Sequence, residues 1–222
     1  MFIFDFKYLI ESLLIVIKAV PTTLKVSMVS MCISLVIGTI AGVIRYQKIP
    51  ILEKMVSIYV SIFRSTPNIA QIFLFYYGIG QFSQIVNQMD PLVAAVIVLS
   101  CNAGAYITES IRGGLLSVSE GQIEAGKALA LPQSIIMRRI ILPQAFPIAL
   151  PALFNNYVDI IKGTAITFMI GVPDIMGVAR TEGSLSFRYL EIYMAVTIVY
   201  WFLVNGFQLF FSFIERKIQF ER

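Results

Sequence analysis

Apolar residues run along this chain in long blocks, and few charges interrupt them. Val26 to Ile44, Ser65 to Met89, Leu92 to Thr108 and Ile192 to Ile214 carry no charged residue at all. A helix needs about 20 mostly apolar residues to cross about 30 Å of hydrocarbon. The blocks therefore predict spans over about 22–45, 55–77, 91–111, 147–170 and 192–214, within a single membrane domain covering 1–222. Pro21 opens the first span, and Asp90-Pro91 reads as an N-cap followed by proline at the first helical position of the third. Pro67 disfavours helical geometry at Thr66, so the second span is expected to break or restart there. Gly38 and Gly42 have the small-xxx-small spacing that permits close helix contact, though glycines are also ordinary in membrane helices. Met1 to Lys18 mixes apolar residues with Asp5, Lys7, Glu11 and Lys18. It lacks the pattern of a cleaved leader and reads as an amphipathic, interfacial start.

The fold class is thus an all-α membrane protein of five transmembrane helices. Five spans put the N-terminus outside and the C-terminus in the cytoplasm. The charges agree, because 11 of the 17 lysines and arginines fall on the inner side, as positive-inside bias requires. Gly78 to Asp90 and Gly171 to Leu190 become outer loops. No internal repeat is visible, and five helices are few for enclosing a path, so a dimer is the expected working unit.

Composition narrows the chemistry. The chain is 58% hydrophobic and 14% charged, where soluble domains carry about 25% charged residues. It has no histidine, which excludes a histidine-based triad or zinc site, and no G-x-S-x-G. Cys32 and Cys101 lie in apolar runs and read as small hydrophobes, with no disulfide or metal role. The net charge of +4 is dispersed and gives no reason to expect nucleic acid. No metal or other cofactor is expected on this chain; the lipid bilayer is its surroundings.

One polar stretch, Ser119 to Ala145, stands between these apolar blocks. Glu120 to Leu131 is rich in helix formers, Pro132 stops it, Ser134 can cap a second short helix, and Pro143 is expected to end that one. Ala125, Gly126, Ala128 and Ala130 would let a partner approach closely, so the stretch reads as a docking surface. Gly121 to Lys127 fits the phosphate-loop spacing G-x-x-x-x-G-K, but Ala128 stands where Ser or Thr should hold magnesium, and no strand leads in.

Inside the spans, Asp159 is the costly residue. An intramembrane carboxylate normally faces protein or a water-filled cavity. It reads either as a contact for a ligand's ammonium group or as a charge neutralised by Lys162 at i+3. Asn155, Asn156 and Thr164 are close in sequence and could line the same cavity. Asn102 and Gln71 are weaker candidates, for which interhelical hydrogen bonds account equally well. Arg64 reads as a lipid anchor rather than a gate, and Phe73, Phe75, Tyr76 and Tyr77 as an interfacial belt.

Glu124-Ala125-Gly126, Ala130 and Ile140-x-Leu142-Pro143 resemble the EAA loop of permease subunits of ABC importers: Glu-Ala-Ala, three residues, Gly, nine residues, Ile-x-Leu-Pro. Gly126 replaces the second alanine and Ala130 the glycine; both stay small. Arg64-Ser-Thr-Pro67, Gln71, Tyr76-Tyr-Gly78, Glu109, Arg112-Gly-Gly114 and Lys162-x-Thr164 are similar to the polar amino acid branch of that family, except that Gly163 stands where many relatives have a polar residue. The resemblance covers about 22–214. It implies a type I importer permease in a prokaryotic cell (inner) membrane, without catalytic residues of its own. It implies a separate ABC ATPase in two copies, which binds ATP and Mg, a second permease subunit (homo- or heterodimer) and an extracytoplasmic amino acid-binding protein. The ATPase would dock on a coupling helix formed by Glu120, Gly121, Glu124, Ala125, Gly126, Ala128, Leu129, Ala130 and Leu131. Asp159, Lys162, Asn155, Thr164, Asn102 and Gln71 would line the substrate pathway. The alternative is a non-transporting scaffold that recruits a cytoplasmic partner through the 119–145 loop.

Overall fold

A computed structural model of the chain describes residues 4–220, with side chains as far as Lys217. The described residues form helices and no strand. Among the described residues, four helical runs are long and apolar enough to cross a membrane: Phe6–Gln47, Pro91–Leu116, Gln133–Ile170 and Tyr189–Lys217. The first contains α1 (Phe6–Ile17) and α2 (Val20–Gln47). The expected second span is divided. It comprises α3 (Pro50–Ser65), α4 (Asn68–Phe73) and a wide π-turn at Leu74–Gly78. Pro67 is extended, at φ −62° and ψ 137°, and the interruption is stabilised by Gln71. Its Nε2 donates to the Thr66 carbonyl at 3.2 Å and to Oγ1 at 2.8 Å.

After α5 (Gln84–Asn87), α6 (Pro91–Leu116) begins as expected, with Asp90 Oδ1 accepting from the Leu92 amide at 2.7 Å. The polar stretch supplies α7 (Glu120–Ala128), α8 (Gln133–Ile135) and a π-turn at Ile136–Ile141, which runs straight into α9 (Leu142–Gly163). Two expectations fail here. Pro132 rather than Ser134 is the N-cap of α8, and Pro143 does not end a helix. The Leu142 amide reaches back five residues to the Met137 carbonyl. This widened turn makes room for the Pro143 ring, which in a regular helix crowds the carbonyl four residues before it. The helix then continues through Pro147 and Pro151. A 3₁₀ segment at Thr164–Ile170 follows, then α10 (Ile175–Ser186) and α11 (Tyr189–Phe220). The residues expected as an outer loop, 171–190, are therefore mostly helix.

The chain divides into two compact units. The first contains the chain up to Cys32, Thr66–Ser100 and Tyr157–Gln208. Leu9 and Val16 of α1, with Ala19 just after it, pack there on Ile175 and Ala179 of α10 and Ile192 and Ala195 of α11. Polar contacts fix the same docking. Asp5 caps α1 and lies 3.3 Å from Arg188, its amide donates to Glu191 at 3.0 Å, and the Tyr8 hydroxyl donates to Glu182 at 2.8 Å. α1 thus buries one face on its own fold, while its Phe6, Ile10, Leu14 and Ile17 stay exposed. A second core joins Val26, Ile72, Ala94, Ala95, Leu99, Ile170 and Val172.

The second unit contains Ile33–Ser65, Cys101–Asn156 and the chain from Leu209. A Cβ on Gly38 would lie 2.4 Å from Ile107 Cγ2, and one on Gly42 2.9 Å from Ile111 Cγ2. The glycine pair therefore serves close contact between α2 and α6. Tyr59 and Asn102 join α3 to α6 through hydrogen bonds to the Cys101 and Phe63 carbonyls at 2.6 and 3.1 Å. Glu109 pairs with Arg45 and lies 3.4 Å from Arg112.

Candidate functional site

The phosphate-loop spacing at Gly121 to Lys127 is wholly helical in α7, so it forms no cradle of backbone amides. Glu120 lies in the first turn and Lys127 in the last, each at the end where the helix dipole favours its charge. Ile123 packs towards the core of Leu115, Val118, Ile136 and Ile141. Gly126 is buried there, and a Cβ on it would meet Ile136 Cγ1 at 3.1 Å and Ile140 Cδ1 at 3.2 Å. Glu120, Gly121, Glu124, Ala125, Ala128 and Leu129 are exposed, Leu129 to 75%. One face of α7 is thus fastened to the fold and the rest presents small residues, two carboxylates and a leucine. A cleft of about 750 Å³ runs beside it, lined by Tyr46, Glu120, Glu124, Lys127 and Gln133 among others.

The end of α7 assigns a backbone role to Ala130. It has φ 53°, and around it the Ala130 amide donates to Lys127 at 2.9 Å and the Leu131 amide to Gly126 at 3.1 Å. This is the left-handed helix ending in which glycine is usual. The backbone therefore makes its own demand on that position.

In α9, Lys162 Nζ lies 2.7 Å from Asp159 Oδ1, with the side chains 56% and 68% exposed. Asn155, four residues before Asp159, is exposed as well, whereas the Asn156 side-chain Nδ2 donates to Ser110 Oγ at 3.0 Å. Thr164 is not with them. It is wholly buried, and its hydroxyl donates to the Ile161 carbonyl at 2.9 Å. Asn102 and Gln71 make the fold-internal hydrogen bonds given above. Arg64 stacks over Tyr106, 5.3 Å from its ring centre. The Tyr77 hydroxyl donates to Met169 at 3.0 Å, and Phe73 and Tyr77 meet edge to face.

Sequence reasoning missed α10 and Asp174. Asp174 is wholly buried, and its Oδ1 caps α10 by accepting from Gly177 at 2.8 Å. Burial pushes its carboxyl up to about 6, against the downward pull of backbone hydrogen bonds from Gly177 and Met176. The available signal was Pro173-Asp174 ahead of twelve proline-free residues, a start sequence for a helix.

Three comparisons bear on this arrangement. The family described as "Binding-protein-dependent transport system inner membrane component" matches residues 34–220. The probable amino-acid ABC transporter permease protein PatM of Vibrio harveyi is 40% identical over 201 residues, covering 90% of each chain. The L-cystine transport system permease protein TcyL of Bacillus subtilis is 36% identical, covering 90% of this chain and 86% of its own. The crystal structure of an amino acid ABC transporter with histidines contains a chain that superposes with a TM-score of 0.89 at 29% identity, covering 97% of this chain and 100% of that one.

Proposed function

From the premise that the chain belongs to the family of binding-protein-dependent transport system inner membrane components, we propose that it carries a polar or charged amino acid into the cell. It is a multi-pass membrane protein and a permease subunit of an ABC transporter; ATP hydrolysis belongs to a separate chain. The amino acid class is supported by its relatives, whose names record amino-acid and L-cystine transport.

The observation that carries the reading is the Asp159–Lys162 pair. Two charges stand within the apolar run Gln133–Ile170, and each side chain is more than half exposed on the chain's own surface. Charges facing lipid are expensive and normally face protein or water instead. The pair therefore faces an aqueous path shared with a second permease subunit, where it meets the ammonium and carboxylate groups of the substrate. In this reading α3 and α4 together make a fifth span, the N-terminus is outside, and residues 1–222 act as one permease domain.

The driving force enters at α7. The ATPase, in two copies with its ATP and Mg, receives Glu120, Glu124, Ala125, Ala128 and Leu129 in a groove, while Gly126, Ala130 and Leu131 hold the helix in place. Closure of the two ATPases moves α7, and the path opens outward to accept an amino acid from an extracytoplasmic binding protein. The permease makes and breaks no covalent bond. Its contribution is differential affinity for its partners in two states.

The test is ATPase activity of the complex in liposomes, with the chain co-assembled with its ATPase and binding protein. Polar and charged amino acids are added one at a time. Stimulation by at least one, coupled to uptake, is expected. An intact complex that no amino acid stimulates would overturn the reading.

A further inference from the structure

Along α10 lies an open cleft of about 780 Å³, in the size range of small-molecule sites. Phe168, Met169 and Gly171 line it from the preceding segment, and Arg180, Thr181, Glu182 and Ser184 line it from α10. Among the described residues no carboxylate pairs with Arg180. Its guanidinium rests on the Phe168 ring, 5.1 Å from the centre, which orients the planar fork of donors that matches a carboxylate. Glu182 is held from behind by the Tyr8 hydroxyl at 2.8 Å, and Tyr8 itself lies under Arg188. The Thr181 and Ser184 hydroxyls donate to the Gly177 and Arg180 carbonyls at 3.0 and 2.9 Å. Towards the cleft they therefore offer lone pairs, which suit an ammonium group.

We propose that this cleft is an outer subsite for the amino acid zwitterion, in which Arg180 takes the α-carboxylate and Glu182, with the neighbouring hydroxyls, takes the α-ammonium. The inference rests on the importer reading above and extends it to a second position on the route, away from Asp159 and Lys162. The charged groups lining the cleft match the part that all amino acids share. The subsite thus reads the zwitterion and discriminates little among side chains, as a receiving position needs to.

The experiment uses the complex of permease and ATPase in sealed liposomes, without binding protein. Cys32 is replaced by Ser, Cys101 by Ala and Thr181 by Cys. Modification of that thiol by a membrane-impermeant thiosulfonate is timed with millimolar L-glutamine, with L-glutaminamide, which lacks the carboxylate, and with N-acetyl-L-glutamine, which lacks the ammonium. Glutamine is expected to slow modification, and neither analogue should. Adding Arg180→Gln should weaken protection about tenfold or more, the loss of one charge-assisted pair. Arg180 is exposed, so the thermal midpoint should stay at the parent value.

Three results would overturn the subsite: no protection by glutamine, equal protection by the amide, or protection that survives Arg180→Gln. A thiol that does not react would overturn it too, because the cleft would not open outward. Failure of the importer reading is distinguishable. It appears as absent ATP-driven uptake in wild-type vesicles supplied with binding protein, whereas failure of the subsite alone leaves uptake normal in Arg180→Gln.

Discussion

The Leu131 amide donates to the Gly126 carbonyl at 3.1 Å and closes α7 over Ala130, whose φ is 53°. An alanine here has its Cβ against the following carbonyl, a conformation that costs about 1–2 kcal/mol. Glycine removes that strain but gives back conformational entropy in the unfolded chain. Ala130→Gly is therefore expected to stabilise the loop by up to about 1 kcal/mol. Ala130→Val should destabilise it, because a β-branched residue is a poor fit to positive φ. Hydrogen exchange of the Leu131 amide, slower in the first variant and faster in the second, measures this.

At Gly38, α2 packs on α6 with no room for a side chain. An alanine there would place Cβ 2.4 Å from Ile107 Cγ2 and 3.0 Å from the Thr108 backbone nitrogen. The backbone cannot yield as a side chain can. Gly38→Ala should cost about 1–3 kcal/mol, the usual range for overpacking, and lower the thermal midpoint in detergent. Adding Ile107→Ala should recover part of the loss. An unchanged midpoint for Gly38→Ala would refute the tight contact.

Asp174 gives the fold a pH dependence of definite sign. Its carboxyl is held at about 6, above the ordinary 3.8, so the folded state prefers the protonated form. Below pH 3.8 the group costs nothing, and as pH rises from there through about 6 the fold loses stability, by about 3 kcal/mol in total. Asp174→Asn keeps a capping acceptor for the Gly177 amide and removes the charge. The variant should melt higher than wild type at neutral pH, and the two midpoints should converge towards pH 4. Parallel curves across that window would exclude the buried carboxyl as the cause.

The two charged positions proposed for transport separate into different phenotypes. Glu124 is exposed on α7, so Glu124→Arg should leave insertion and thermal stability unchanged and abolish ATP-driven uptake, with loss of the ATPase on copurification. Asp159→Asn should keep the ATPase bound and change uptake rate or substrate preference. Normal uptake by either variant would remove that residue from the mechanism.

Local rules recovered much of this protein. Asp90-Pro91 marked the start of α6 because a cap and a proline act within one turn. The break at Pro67 was legible for the same reason. Ser134 and Pro143 misled, since the widened turn at Ile136–Ile141 depends on hydrogen bonds five residues apart, which propensity does not anticipate. Thr164 was close enough to Asp159 in sequence to line the same cavity, yet it lies in the 3₁₀ segment and is wholly buried. For Asn102 and Gln71 the choice between pathway and scaffold needed the carbonyls they bond.

By itself the sequence determined the apolar runs that lipid requires, the polar stretch that interrupts them, and the charged pair at Asp159 and Lys162. Those are consequences of solvent: hydrocarbon excludes unpaired charge and unsatisfied backbone over any length of chain. Only the tertiary structure decided which residues meet. Whether Gly38 faces Ile107, whether Asp174 is sealed from water, and whether Arg180 has a carboxylate beside it all depend on residues distant in sequence. Packing brings these together, and hydropathy carries no record of them.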